Sequence, residues 1–220
     1  MKKYTVATVL YDHFAPLDAF GPLQMFGTTG GRFDAFTIGL APGIPHAGSD
    51  LGGVPVQILH SFQDEVEYDI VMVPGADNSV IQQLLDNADF MSGLKGLCEK
   101  ADIIASVCTG AALVAATGLV DGQDMTTNKM SYSWIASQFP NINWNCEPRW
   151  INRINPDTQK GLISSGGVSA GTDMSLGLIE TLFDAEVVTC TEEITEYNWN
   201  SNPAVDHFAY LCSGRRKCKS

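Results

Sequence analysis

Ile103-Ile104-Ala105-Ser106-Val107-Cys108-Thr109-Gly110-Ala111-Ala112 passes without a break from a β-branched, apolar run into a series of small residues. A continuous apolar run, as opposed to an alternating one, belongs to a strand covered on both faces, and such strands occur in parallel sheets. The residues from Thr109 to Gly118 read as a short helix closed by glycine. The cysteine therefore stands at the joint of strand and helix.

Outward from this joint the same alternation repeats. Thr5 to Tyr11, Phe33 to Leu40 and Tyr68 to Pro74 read as further strands, with helices at Leu17 to Thr28 and at Asn78 to Cys98, the latter broken near Asn87. Strand and helix in alternation give the α/β class. Val54 to Phe62 reads as an extra strand or hairpin arm. Arg149 to Ser165 reads as two strands around the Asn155-Pro156-Asp157 turn, expected to decorate the sheet in antiparallel fashion. Val168 to Phe183 and the acidic stretch Glu186 to Trp199 read as closing helices. With no repeat and no linker, residues 1–220 are expected to form one domain.

The chain has 220 residues, 45% of them hydrophobic and 17% charged, and 13 basic against 25 acidic side chains give a net charge of −12. Such a surface repels nucleic acid and anionic membranes. The one basic cluster, Arg215, Arg216, Lys217 and Lys219, reads as a solvated tail. Met1-Lys2-Lys3 precedes an apolar run that Asp12 stops after eight residues, too short for a leader. Ile103 to Val120 is uncharged over 18 residues, but its glycines and threonines fit strand, turn and helix better than a membrane span. A soluble, cytoplasmic protein is expected. The six cysteines, Cys98, Cys108, Cys146, Cys190, Cys212 and Cys218, are scattered and read as free thiols. The four histidines lie apart, so no metal site is expected.

A thiol at a helix start sees the positive end of the helix dipole and free N–H groups, which lower its pKa and offer donors to an anionic intermediate. A sharp strand-to-helix turn also pushes the side chain out of the sheet, as at the nucleophile elbow of hydrolases. Cys108 is expected to be the one cysteine with a depressed pKa, on a strained main chain. The residues alone leave a second reading, a buried structural cysteine.

Six blocks, in order, resemble the DJ-1/PfpI superfamily and within it the isocyanide hydratase-like branch: Leu17-Asp18-Ala19-Phe20-Gly21-Pro22; Val73-Pro74-Gly75-Ala76; Ser106-Val107-Cys108-Thr109-Gly110; Gly118-Leu119-Val120-Asp121-Gly122; Thr126-Thr127-Asn128; and Ser165-Gly166-Gly167-Val168-Ser169-Ala170-Gly171-Thr172-Asp173-Met174. The resemblance implies a flavodoxin-like α/β sandwich of the class I glutamine amidotransferase-like kind. It also implies a homodimer and a cofactor-independent cysteine nucleophile at Cys108. It gives Asp18 the role of the acid that shuttles a proton beside the cysteine; a carboxylate placed to favour a helix N-terminus is the alternative. Gly75, Ala76, Thr109 and Gly110 fall on the positions that hold the substrate or its developing anion.

Two departures matter. Thr109 stands where other branches place histidine, and Asn128, in Thr126-Thr127-Asn128-Lys129, stands where many hydratases have a histidine. The chain resembles instead a T-T-N-K subgroup with an Arg149-Trp150 pair and a Glu196-Tyr197-Asn198-Trp199 stretch. Asn128, Trp150, Tyr197 and Trp199 are candidate pocket walls, although aromatic residues at such spacings are more often core. Asp206-His207 reads as a surface helix rather than a base and its orienter. The implied chemistry is hydration of an isocyanide to an N-formamide through a thioimidate on Cys108. A glyoxalase-like conversion of 2-oxoaldehydes to hydroxy acids and a redox-sensing role are the alternatives.

Overall fold

The computed structural model describes residues 2–48 and 53–214. Seven strands form the main sheet: β1 (Tyr4–Val9), β2 (Phe33–Gly39), β3 (His60–Ser61), β4 (Ile70–Val73), β5 (Ile103–Val107), β6 (Trp150–Asn155) and β7 (Lys160–Ser165). Their spatial order is β6-β7-β5-β4-β1-β2-β3, parallel throughout except for β6 against β7. Successive residues of β4 show why both faces are covered. Ile70 and Met72 enter one apolar cluster, Val71 and Val73 the other.

On the first face lie α1 (Pro16–Gly27), α6 (Ala170–Leu182) and α7 (Ala185–Thr195); on the second lie α2 (Asn78–Leu85), α3 (Ala88–Lys100), α4 (Gly110–Ala116) and α5 (Tyr132–Gln138). The break between α2 and α3 falls at Asn87, whose side chain accepts the Phe90 N–H at 3.0 Å and so caps the second helix. Gly21 lets α1 and α6 approach closely, because a Cβ there would stand 2.4 Å from Thr172 Oγ1.

The chain leaves β1 toward the first face and β4 toward the second. Without the edge strands β3 and β6, the order is the doubly wound one whose strand direction of travel reverses between β1 and β4. Ligands of such sheets bind beyond the carboxyl ends of the strands at that reversal. The segments there are residues 10–18, the Pro74-Gly75-Ala76 turn and, from the next strand, Cys108.

Several expectations need correction. β7 pairs in parallel with β5, so the 149–165 hairpin extends the main sheet and only its first arm is antiparallel. Val54–Pro55 forms a separate ribbon with His46–Ala47, and only His60–Ser61 joins the sheet. The last helix stops at Thr195 because Glu196 turns left-handed, with φ 51°. Among the described residues no helix is long and apolar enough to cross a membrane. The basic cluster at 215–219 and Cys218 lie outside the described residues.

The thiols are not all free. Cys146 and Cys212, 66 residues apart, form a disulfide with their Cα atoms 6.4 Å from each other, while Cys98, Cys108 and Cys190 are unpaired. The bond fastens the segment after α7 to the body of the protein. Non-reducing peptide mapping is expected to recover these two cysteines joined. Closing so long a loop limits the unfolded chain, so Cys212→Ser should lower the unfolding free energy by roughly 2–4 kcal/mol. Two separately alkylated peptides would refute the bond.

Candidate active site

Cys108 closes the step from β5 to α4 with φ 58°, a left-handed conformation that costs a non-glycine residue on the order of 1 kcal/mol or more. Both peptide groups are held from outside the elbow. Cys108 N–H donates to Gly166 O at 3.1 Å, and Thr127 Oγ1 donates to Cys108 O at 2.9 Å. The expected strain at the joint is present.

Three N–H donors surround the sulfur. Asn128 Nδ2 lies 3.2 Å from Sγ, and the backbone N–H groups of Val168 and Thr109 also reach it. The Asn128 amide is oriented by its other end, since Oδ1 accepts the N–H groups of Met130 and Ser131 at 2.9 and 3.1 Å. Val168 presents its N–H from φ 38°, a conformation that a β-branched residue rarely adopts.

Asp18 lies fully buried beside the thiol. One carboxyl oxygen, Oδ2, accepts the Gly75 N–H at 2.9 Å; the other, Oδ1, is buried with no aligned hydrogen-bond partner, and the Cys108 thiol lies close enough to the carboxyl to interact with it. Burial pushes Asp18 up to about 7, against the opposing pull of Gly75 N–H and of the thiol. Burial, followed by the Asp18 charge, pushes the Cys108 thiol up to about 12, and the Val168, Asn128 and Thr109 donors work the other way. The expected depression of this thiol is thus reversed in sign. The helix dipole is a local effect of one short helix, whereas the desolvation and the neighbouring carboxyl come from the whole fold. The two groups titrate as a pair that holds one proton between the two steps.

The Pro74-Gly75-Ala76 turn is spent on this arrangement. Gly75 N–H is taken by Asp18, and Ala76 N–H by Thr109 Oγ1 at 2.9 Å, which in turn donates to Ala76 O at 2.6 Å. A side chain at position 75 would meet Thr109 Oγ1 at 2.4 Å. Gly75 and Ala76 therefore do not offer free donors to a substrate; they fix the acid and the elbow. Gly110 begins α4 directly behind the elbow and is buried.

A cleft of about 770 Å³ opens over Cys108, walled in part by His13, Ala76, Thr109, Asn128, Met130 and Val168. Ser131 Oγ donates to Asn78 Oδ1 at 2.7 Å along its side.

Residues 4–181 match the model of the DJ-1/PfpI family. The chain belongs to that family. An uncharacterized protein from the cpoL 5' region of Streptomyces lividans is 30% identical over 143 residues, 62% of this chain and 96% of that one. The isonitrile hydratase of Pseudomonas putida is 24% identical over 145 residues, which span 66% of this chain and 59% of the hydratase. The crystal structure of a THiJ/PfpI family protein from Pseudomonas syringae, 20% identical, superposes with a TM-score of 0.77 over 97% of this chain and 85% of that one. The fold is the flavodoxin-like, class I glutamine amidotransferase-like sandwich of DJ-1/PfpI proteins.

The aromatic residues expected as walls stand elsewhere. Trp150 and Trp199 stack on each other with ring centres 6.3 Å apart, and Tyr197 OH donates to Asp173 Oδ1 at 3.1 Å. They do not line the cleft over Cys108. They belong to a tie that runs beyond the DJ-1/PfpI match. Arg149 Nε donates to Asp173 Oδ2 at 2.6 Å, Asn200 N–H donates to Asp173 Oδ1 at 3.0 Å, and buried Asp206 lies 3.8 Å from both Lys129 and Arg149. His207 is exposed, while its neighbour Asp206 is turned inward to these cations. His13, Met130 and Ser131 are among the cleft residues that the sequence did not single out, and Val168, though inside the 165–174 block, carried no sign of a role there.

The raised carboxyl gives a sign that can be checked. Between about pH 4 and pH 7 the folded protein keeps the Asp18 proton and the unfolded chain has released it, so stability falls as pH rises through that window. Asp18→Asn removes this dependence. Its stability relative to the wild type should grow by on the order of 3–4 kcal/mol from pH 4 to pH 7 and then level. Urea unfolding across that range measures it, and a constant difference would refute the shift.

Proposed function

We propose that this DJ-1/PfpI protein is a cysteine-dependent enzyme that hydrates an isocyanide to an N-formamide. The observation that carries the reading is the buried Asp18 carboxyl, with one oxygen lacking an aligned partner, set against a thiol on a strained elbow. The resemblance to an isonitrile hydratase at 24% identity supports the same chemistry.

In the form that carries one proton, transfer from sulfur to Asp18 leaves a thiolate beside a carboxylic acid. The Asn128, Val168 and Thr109 donors favour that arrangement. The thiolate attacks the terminal carbon of R–N≡C, and the Asp18 proton is delivered to the same carbon, giving the thioimidate R–N=CH–S–Cys108. That carbon is one bond from the sulfur, which already lies within reach of Asp18. Water then adds to the thioimidate carbon with Asp18 as base, and the adduct collapses to R–NH–CHO and the thiol. One water is consumed and no electrons are exchanged.

A hemithioacetal route from 2-oxoaldehydes would use the same two groups, and product analysis separates the two. A peroxide sensor draws no support from a thiol that burial pushes up, because oxidation follows thiolate character and exposure. A homodimer belongs to the proposal and is read by sedimentation at micromolar concentration.

With methyl isocyanide, the expected product is N-methylformamide. Cys108→Ala should abolish turnover, and Asp18→Asn should lower kcat by roughly 10²-fold or more while the protein stays folded. In the wild type, kcat/KM should rise through about pH 7 as the pair loses its first proton. Undiminished formamide production by Asp18→Asn, or failure of the wild type to convert any isocyanide to its formamide, would overturn the assignment.

A further inference from the structure

A second hollow, of about 150 Å³, lies beside the cleft. The two meet along Asn128, Met130 and Val168, which line both. Met130 and Val168 are 56% and 41% exposed, so the ridge between the hollows is apolar and uncovered. The far wall is Phe208 and Leu211, from the segment that the disulfide ties down and that lies beyond the family match at 4–181.

The hollow also touches charged residues, but they are already engaged. Lys129 Nζ donates to Thr126 Oγ1 at 2.8 Å and to Pro148 O, and pairs with Asp206; Arg149 donates to Asp173 and, at 3.3 Å, to Ser169 Oγ. A ligand group bringing its own charge would have to break these pairs, whereas an apolar group meets Met130, Val168, Phe208 and Leu211. The size has a known meaning, since apolar cavities of about 150 Å³ take up benzene. The wall is also pre-formed. Arg149 N–H donates to Pro203 O at 2.8 Å and Asp206 N–H to Glu147 O at 3.2 Å, and Cys212 follows Leu211 directly. Little ordering is left for a ligand to impose.

We infer that this hollow is a specificity pocket for an uncharged, benzene-sized substituent on the electrophile that Cys108 attacks. The inference rests on the reading of the cleft as the site of a small electrophile, and it adds which substrates are preferred. A phenyl or short branched alkyl group would cross the Met130–Val168 ridge while the reacting carbon stays at the sulfur.

Equilibrium binding of the two product formamides tests this without requiring turnover. By calorimetry, N-benzylformamide is expected to bind the wild type at least about tenfold more tightly than N-methylformamide, the scale of burying part of one ring. Leu211→Trp, which fills the hollow, should abolish that preference. Phe208→Asp, at a position 52% exposed and so tolerant of charge, should do the same if the tryptophan variant fails to fold. Equal affinities for the two formamides in the wild type, or a preference that either folded variant leaves intact, would overturn the pocket. Wild-type turnover of methyl and of benzyl isocyanide, measured in parallel, reads the reaction separately, and its absence means that neither is hydrated. Turnover without the binding preference removes the pocket alone, and the preference without turnover removes the isocyanide reaction alone.

Discussion

The left-handed backbone at Cys108 is the constraint on which the site depends, because it survives only while two distant loops hold its peptide groups. The loop after β7 supplies Gly166 O, and the segment before α5 supplies Thr127 Oγ1. Those same loops deliver the donors at the sulfur, Val168 N–H and Asn128 Nδ2. Strain and preorganisation are thus one arrangement. A change that released either loop would relax the elbow and scatter the donors together, which is how local strain comes to be retained at a reactive position.

The carboxyl depends on packing of a different kind. Asp18 sits in the first turn of α1, and its burial follows from how closely α1 lies against α6 across Gly21 and Thr172. Pro16 at the start of that helix sets the entry, and Ala15 N–H donates to Gly75 O at 2.7 Å, so the acid and the turn that binds it are joined at the backbone as well. The second buried group of charges is built differently. Lys129, Arg149, Asp173 and Asp206 balance one another, and they join the Asn128 loop to the segment fastened by Cys146–Cys212. A neutral set of this kind adds little net stability, but removing one member leaves a buried charge uncompensated, which makes the join specific.

What could be read from the chain was whatever depends on neighbours in sequence. Ile103 to Val107 announces a buried strand by its composition, Asn87 marks a helix start by its side chain, and Cys108 follows from the junction of two such patterns. Contacts made across the fold left no such mark. Cys146 and Cys212 stand 66 residues apart with nothing in their spacing to pair them. Valine is among the last residues that propensity would place at a positive φ, so Val168 could not be recognised as a donor. The N–H groups of Gly75 and Ala76 were legible as a turn, but the groups that occupy them, Asp18 and Thr109, come from other elements. Trp150, Tyr197 and Trp199 were legible as a set, though not which cluster they would join.

Asn128 decides which group governs the protonation of the site. A histidine in its place would bring a second titration near neutral pH and a choice between donating to the sulfur and removing its proton. The amide has neither property. With Oδ1 occupied by two backbone N–H groups, Nδ2 can act toward Sγ only as a donor, at every pH at which the protein is folded. The one proton that the site can exchange on its buried side therefore belongs to the Asp18–Cys108 pair. Burial and the Asp18 charge keep the shared proton on sulfur at rest, while the three donors lower the cost of the thiolate that forms when the proton passes to the carboxyl. That coupling ties nucleophile to acid, and it is the property that a reaction adding both sulfur and hydrogen to one carbon requires.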